Sequence, residues 1–199
     1  MIIGVTGLIG SGKSTAAKIL KSYGFAVIDA DKIGHKVVDK NPELLKKLVY
    51  AFGEEILTKA KKLNRKKLAF LAFQNESSKN KLNRLVHPYL LKELKKQIKE
   101  LSHEKEFIVI DAALLLDWNL DKIVDLVIMI HTSQKLRLKR LSKRGISKKD
   151  ALARQSQQPS YRQFRERSDY VVFNNKTPQH LRKKLEKIIK KEVIHDIDI

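Results

Sequence analysis

The stretch Gly7-Leu-Ile-Gly-Ser-Gly-Lys-Ser14 sets the tightest limit on what this chain can fold into. It meets the pattern G-x-x-x-x-G-K-[ST] at every fixed position. Met1-Ile-Ile-Gly-Val-Thr6 precedes it as a short run rich in β-branched residues. After it, Ala16, Ala17, Ile19 and Leu20 recur at helical spacing up to a stop at Tyr23-Gly24. Glycines at 7, 10 and 12 remove Cβ atoms, so the backbone can curl with its N–H groups inward around phosphate oxygens, at the positive end of the following helix. Lys13 can reach terminal phosphates as a point charge. The Ser14 hydroxyl can coordinate a Mg²⁺ that bridges two of them, and Thr15 caps the turn or contacts the first phosphate. A glycine-rich turn that binds nothing would need the pattern by chance, roughly once per hundred chains of this length.

The next strand, Phe25-Ala-Val-Ile28, ends in Asp29-Ala-Asp31. In an open parallel sheet the C-terminal edge of the strands is where ligands bind, which puts both carboxylates on the P-loop side. Two readings of Asp31 stand: a base that orients an acceptor hydroxyl toward a γ-phosphate, or the N-cap of a helix from Lys32 to Val38. Asn41-Pro42 then opens a helical segment, residues 42–104, with a turn near Lys59–Asn64. Inside it, Leu82-Asn-Arg-Leu-Val-His87-Pro88 carries a proline expected to end or kink a helix and fix His87 at the break. His87 is read either as a structural residue or as a substrate contact.

Phe107-Ile-Val-Ile-Asp111 is a continuous apolar strand ending in a carboxylate. Asp111 either holds Mg²⁺ through water, in the Walker B position, or caps the following turn. A fourth strand follows at Asp125–Ile130 and a fifth at Asp169–Phe173. Hydrophobic strands alternating with helices make the fold α/β, with a parallel five-stranded sheet. Between the last two strands lies a basic helix, Ser133–Arg144, with Arg137, Arg140 and Arg144 spaced to share one face. Arg154, Arg162, Arg165 and Arg167 follow in a glutamine-rich stretch. Too polar for core, residues 136–167 read as an arginine-bearing lid over phosphates or as a basic surface for nucleic acid. Arginine replaces lysine here because bidentate phosphate recognition favours its planar fork. Thr177-Pro178 opens a last amphipathic helix, and Ile194–Ile199 alternates apolar and acidic residues.

The core therefore comprises about 1–40, 105–135 and 168–192, with a helical insertion at about 41–104. At 199 residues the chain can bury a full core. It has no cysteine, which excludes disulfides, thiol nucleophiles and Cys-based zinc sites. A first strand at residue 2 and no long apolar run predict a cytoplasmic protein without a membrane span. The formal charge of +20 fits solvated helix faces, a binder of polyanionic small molecules, or nonspecific nucleic-acid binding that fades with salt.

On these residues the chain resembles the dephospho-CoA kinase family, which implies a P-loop kinase fold. Thr6–Thr15 is similar to the family's T-G-G-I-G-S-G-K-S-T, with Leu8 for its second glycine. Val27-Ile-Asp-Ala-Asp31 matches V-I-D-A-D, and Leu82–Pro88 matches L-x-x-x-x-H-P. Asp111–Asp117 corresponds to D-x-P-L-L-x-E, with Ala113 for proline and Asp117 for glutamate. Arg140-Leu-x-x-Arg144 resembles the lid's R-L-x-x-R, while Arg137 stands where glutamine is usual. Arg154, Gln158, Arg165, Asp169 and Asn174-Asn175 resemble the closing pattern, with Lys176 in place of its last glycine.

The resemblance implies ATP-dependent phosphorylation of the ribose 3′-hydroxyl of dephospho-CoA, the last step of CoA synthesis. It implies Asp31 as catalytic base, Gly10, Ser11, Gly12, Lys13, Ser14 and Thr15 holding ATP with Mg²⁺, and Arg140 stabilising charge on the transferring group. The helical insertion with His87 would bind the acceptor. Two rivals are another small-molecule P-loop kinase, lacking the Asp29-Ala-Asp31 and His87-Pro88 signals, and a nucleic-acid-stimulated ATPase, which predicts DNA- or RNA-dependent turnover.

Overall fold

The computed structural model describes residues 1–192, so the alternating tail Ile194–Ile199 lies outside the described residues. Five strands form one sheet in the order β2-β3-β1-β4-β5. They are β1 (Ile2–Thr6), β2 (Ala26–Asp29), β3 (Ile108–Asp111), β4 (Leu126–His131) and β5 (Tyr170–Phe173). β1 lies between β3 and β4, parallel to both, with Ile3 opposite Val109 on one side and Leu126 on the other. Its central place explains its composition: a strand covered on both faces must be apolar throughout, and Ile3, Gly4, Val5 and Thr6 are all buried.

Two helices, α1 (Lys13–Ser22) and α9 (Pro178–Glu192), pack together over this sheet. Ala16, Ala17, Ile19 and Leu20 of α1 join Leu181, Leu185 and Ile188 of α9 in one core with Ile3, Val5, Ile128, Ile130 and Val172. Each large side chain so buried contributes about 1.5–3 kcal/mol. Two aspartates start the strand ladders: the Asp125 carboxylate accepts the Ile2 N–H at 2.6 Å, and the Asp169 carboxylate accepts the Val127 N–H at 2.7 Å. Between β4 and β5 come three short helices, α6 (Gln134–Ser142), α7 (Lys148–Ser156) and α8 (Tyr161–Glu166). Leu141, Ala151 and Phe164 anchor one helix each.

The chain divides into two compact units, Met1–Ile28 together with Leu101 onward, and Asp29–Glu100. The second unit is helical: α2 (Ala30–Lys40), α3 (Pro42–Phe52), α4 (Arg65–Ala72) and α5 (Glu76–Ser102), whose last two residues pass into the first unit. Asn41 ends α2 and caps α3, accepting the Leu44 N–H at 2.9 Å, with Pro42 in the first turn. Val38, Leu44, Leu48, Ile56, Leu68 and Val86 form its core.

Of the two outcomes expected at Pro88, an end or a kink, the end does not occur: α5 runs for 27 residues with Pro88 inside it, and His87 sits half-buried in mid-helix. Proline removes the bond to the carbonyl four residues back, that of Arg84, at about 3 kcal/mol. Arg84 and Pro88 are both exposed, so water can reach that carbonyl. Val86, Leu90 and Leu94 on the opposite side are buried and hold the helix on.

Candidate active site

The loop between β1 and α1 is shaped by its glycines. Gly12 is the N-cap of α1 in the left-handed region, φ 101°, and Gly10 has φ 79°. These are conformations that cost L-residues energy. A Cβ on Gly12 would also collide with the side-chain amide of Asn174. Lys13 Nζ donates to the Gly7 carbonyl at 3.1 Å, closing the loop on itself, and Ser14 stands exposed in the first helical turn.

The outer side of the loop rests on a polar hub. The Ser11 carbonyl accepts from Asn174 Nδ2 at 2.8 Å and from Arg140 Nη1 at 3.1 Å, with Thr132 Oγ1 at 2.9 Å. Arg140 Nη1 also reaches Thr132 Oγ1 at 3.2 Å, while its Nη2 donates to the Asn174 carbonyl at 2.9 Å. Thr132 Oγ1 lies 3.0 Å from that same carbonyl. A hydroxyl has one proton, so Thr132 serves one of the two carbonyls and accepts from Arg140. Ser11, Thr132 and Asn174 are buried. From the α7–α8 connection, Gln158 Oε1 accepts the Ile9 N–H at 2.7 Å.

The arginines expected to act together separate. Arg137 is buried, 4% exposed, and its Nε donates to the Thr132 carbonyl at 3.1 Å. Burial pushes the Arg137 guanidinium below its ordinary range. Arg140 is lowered too, first by desolvation and then by Arg144. Arg144 itself lies beyond the end of α6, so the three do not line one helix face. Arg167 grips Asp121 through Nε at 2.9 Å and Nη2 at 2.5 Å, and donates to the Leu116 carbonyl. Arg162 pairs with Glu166 on the surface. Spacing alone misleads here because a partly apolar helix must bury one face, and the long Arg137 stem is what α6 turns inward.

Asp111 closes β3 opposite Val5 of β1, two residues before the P-loop begins. Asp29 caps α2, accepting the Lys32 N–H at 2.9 Å, which gives the cap to Asp29 and leaves Asp31 in the first turn of the helix. Among the described residues no three His, Asp or Glu side chains gather to hold a metal by themselves. Hard oxygen donors from Ser14 and Asp111 suit Mg²⁺, which keeps several waters and binds through phosphates and one or two protein oxygens.

Thr132 escaped a reading by motif because it is a single polar residue, and Asn174, placed in the closing pattern by resemblance, was given no role. The signal was their position: each directly follows an apolar parallel strand, at the edge where the P-loop lies.

A glycine-rich loop on a central parallel strand, with a lysine and a serine hydroxyl at the head of its helix, is the architecture of P-loop nucleotide-binding proteins. The family is narrower. Residues 1–180 match the family model described as CoaE, dephospho-CoA kinase. A dephospho-CoA kinase of Carboxydothermus hydrogenoformans is 36% identical over 192 residues, 96% of this chain and 93% of that one. The structure of the dephospho-CoA kinase from Campylobacter jejuni superposes with a TM-score of 0.67 at 31% identity, covering 96% of both chains. A crystal structure from Thermus thermophilus reaches 0.83 at 28% identity, over 96% of this chain and 97% of that one. The chain belongs to the dephospho-CoA kinase family, whose known role is the final step of CoA biosynthesis.

Proposed function

We propose that this chain transfers the γ-phosphoryl group of ATP to the ribose 3′-hydroxyl of dephospho-CoA, giving CoA and ADP. The observation that carries the reading is the family match from residue 1 to 180, in a chain whose P-loop is held in a phosphate-binding shape by glycines with positive φ.

In this reading Gly10, Ser11, Gly12 and Thr15 hold ATP through backbone N–H groups and the loop's helix terminus. Lys13 exchanges its Gly7 carbonyl for the terminal phosphates. Ser14 and Asp111 would hold Mg²⁺, which neutralises phosphate charge when bound. Asp31 accepts the proton of the attacking hydroxyl, a role supported by Asp29 taking over the capping duty. Arg140 supplies positive charge beside the nest. The helical insertion, about 41–104, and His87 bind the acceptor, and residues 136–167 form a lid. No described helix is long and apolar enough to cross a membrane, in keeping with a cytoplasmic enzyme. The +20 charge steers polyanionic substrates and gives weak nucleic-acid binding at low salt.

Phosphoryl transfer depends on positioning plus a base, so the test is the Asp31→Asn enzyme. Its kcat should fall by about 100-fold or more while its affinity for ATP stays near that of the unmodified enzyme. Near-normal turnover would remove Asp31 from the base role.

A further inference from the structure

We propose that Thr132 and Asn174 are positioning residues for phosphate binding, acting through the Ser11–Gly12 peptide. This rests on the reading of the P-loop as the ATP site. A trans peptide is planar, with its C=O and N–H pointing to opposite sides. Whatever fixes the Ser11 carbonyl therefore fixes the direction of the Gly12 N–H. That carbonyl is drawn outward by Asn174 Nδ2 at 2.8 Å and Arg140 Nη1 at 3.1 Å, while the Thr132 hydroxyl, 2.9 Å from it, accepts from the same Arg140 nitrogen and has its one proton to share between this carbonyl and that of Asn174. The Gly12 N–H is thus turned away from Asn174, toward the side from which a phosphate approaches.

The hub is built to resist rotation of that peptide. The Asn174 backbone N–H donates to the His131 carbonyl at 2.7 Å, so Asn174 is tied to the end of β4. Its own carbonyl is held by Arg140 Nη2 at 2.9 Å. Thr132 is fully buried and Asn174 is 6% exposed, so water cannot replace either group cheaply. The close approach of Asn174 to Gly12, which leaves no space for a Cβ, is the steric face of the same arrangement. Without the hub the loop could flip this peptide, and an empty nest would have to reorder it on binding ATP. Affinity would fall by the cost of that reordering.

The experiment is titration of Mg²⁺-ATP into the full chain without acceptor, with thermal unfolding of each variant alongside. Thr132→Val keeps shape and removes the hydroxyl; Thr132→Ser restores it; Asn174→Ala removes the amide. The expected result is a Kd for ATP raised about tenfold, equivalent to about 1.4 kcal/mol, in Thr132→Val and Asn174→Ala. Thr132→Ser should stay within about twofold of the unmodified chain. KM for dephospho-CoA should not move, because the hub acts on the donor site. A merely structural role would lower the unfolding temperature and leave the Kd of the folded fraction unchanged, and that result overturns the proposal. Equal weakening in Thr132→Ser and Thr132→Val also overturns it, since side-chain packing and not the hydroxyl would then matter. If Thr132→Val does not fold, Asn174→Ala decides. Failure of the unmodified chain itself to bind ATP would instead refute the P-loop reading.

Discussion

Arg140 commits its two terminal nitrogens to oxygens of the P-loop, Thr132 and the Asn174 carbonyl. Lysine at this position keeps the charge but has no planar fork to bridge the Ser11 and Asn174 carbonyls. Arg140→Lys should therefore lower kcat/KM for ATP by about tenfold or more, measured as initial rates at varied ATP. Unchanged rates would mean that charge alone matters there. At this scale the sequence was informative where a motif fixed several residues at once, as in Gly7–Ser14. It was misleading for Arg137, because a helical spacing gives a face without saying whether that face meets solvent or core. Asp29 and Asp31 show the same limit: the sequence offers Asp31 as a helix N-cap, but the helix begins at Ala30 and gives that place to Asp29.

Among the elements, α5 and the ends of β4 and β5 bear the clearest consequences. Pro88 leaves the Arg84 carbonyl without its helical donor in a helix that packing holds in place. Pro88→Ala should raise the stability of the helical unit by about 1–3 kcal/mol, read as a higher unfolding temperature; a lower one would mean that the helix depends on a proline bend. The strand elements were legible from their apolar runs, and their helices from cap-and-proline pairs such as Asn41-Pro42. Continuity through Pro88 was not, since local propensity argues for a break and only the buried row Val86, Leu90, Leu94 outweighs it. At the end of β4, His131 packs edge-on against Tyr161 and Phe173, with ring centres 4.6 and 5.2 Å away. Burial, and then Arg137, hold its imidazole below the usual 6.5. The unfolded chain thus takes up a proton that the folded chain resists, so stability should decline as pH falls from about 6.5 toward the depressed value. His180 is shifted in the same direction, by desolvation and then by Lys184, Lys176 and Lys183, and adds to the slope. Thermal unfolding of His131→Gln between about pH 7.5 and 5 should show a shallower decline; an unchanged slope would place the titration elsewhere.

For the whole molecule, the sheet order β2-β3-β1-β4-β5 puts the nucleotide loop on the central strand, flanked by the strands that end in Asp111 and, through His131, in Thr132. Composition did not choose a partner, because +20 suits solvated helix faces, polyanionic small molecules and nucleic acid alike. Family-specific residues at Asp31 and His87-Pro88 narrow that choice, and the match over residues 1–180 agrees with them. The most direct test is ADP formation from Mg²⁺-ATP with dephospho-CoA, run beside nucleosides, shikimate, gluconate and single-stranded DNA. The account predicts a rate that rises with dephospho-CoA alone, with CoA formed in step with ADP. Turnover stimulated by DNA, or by a different small acceptor and not by dephospho-CoA, would contradict it.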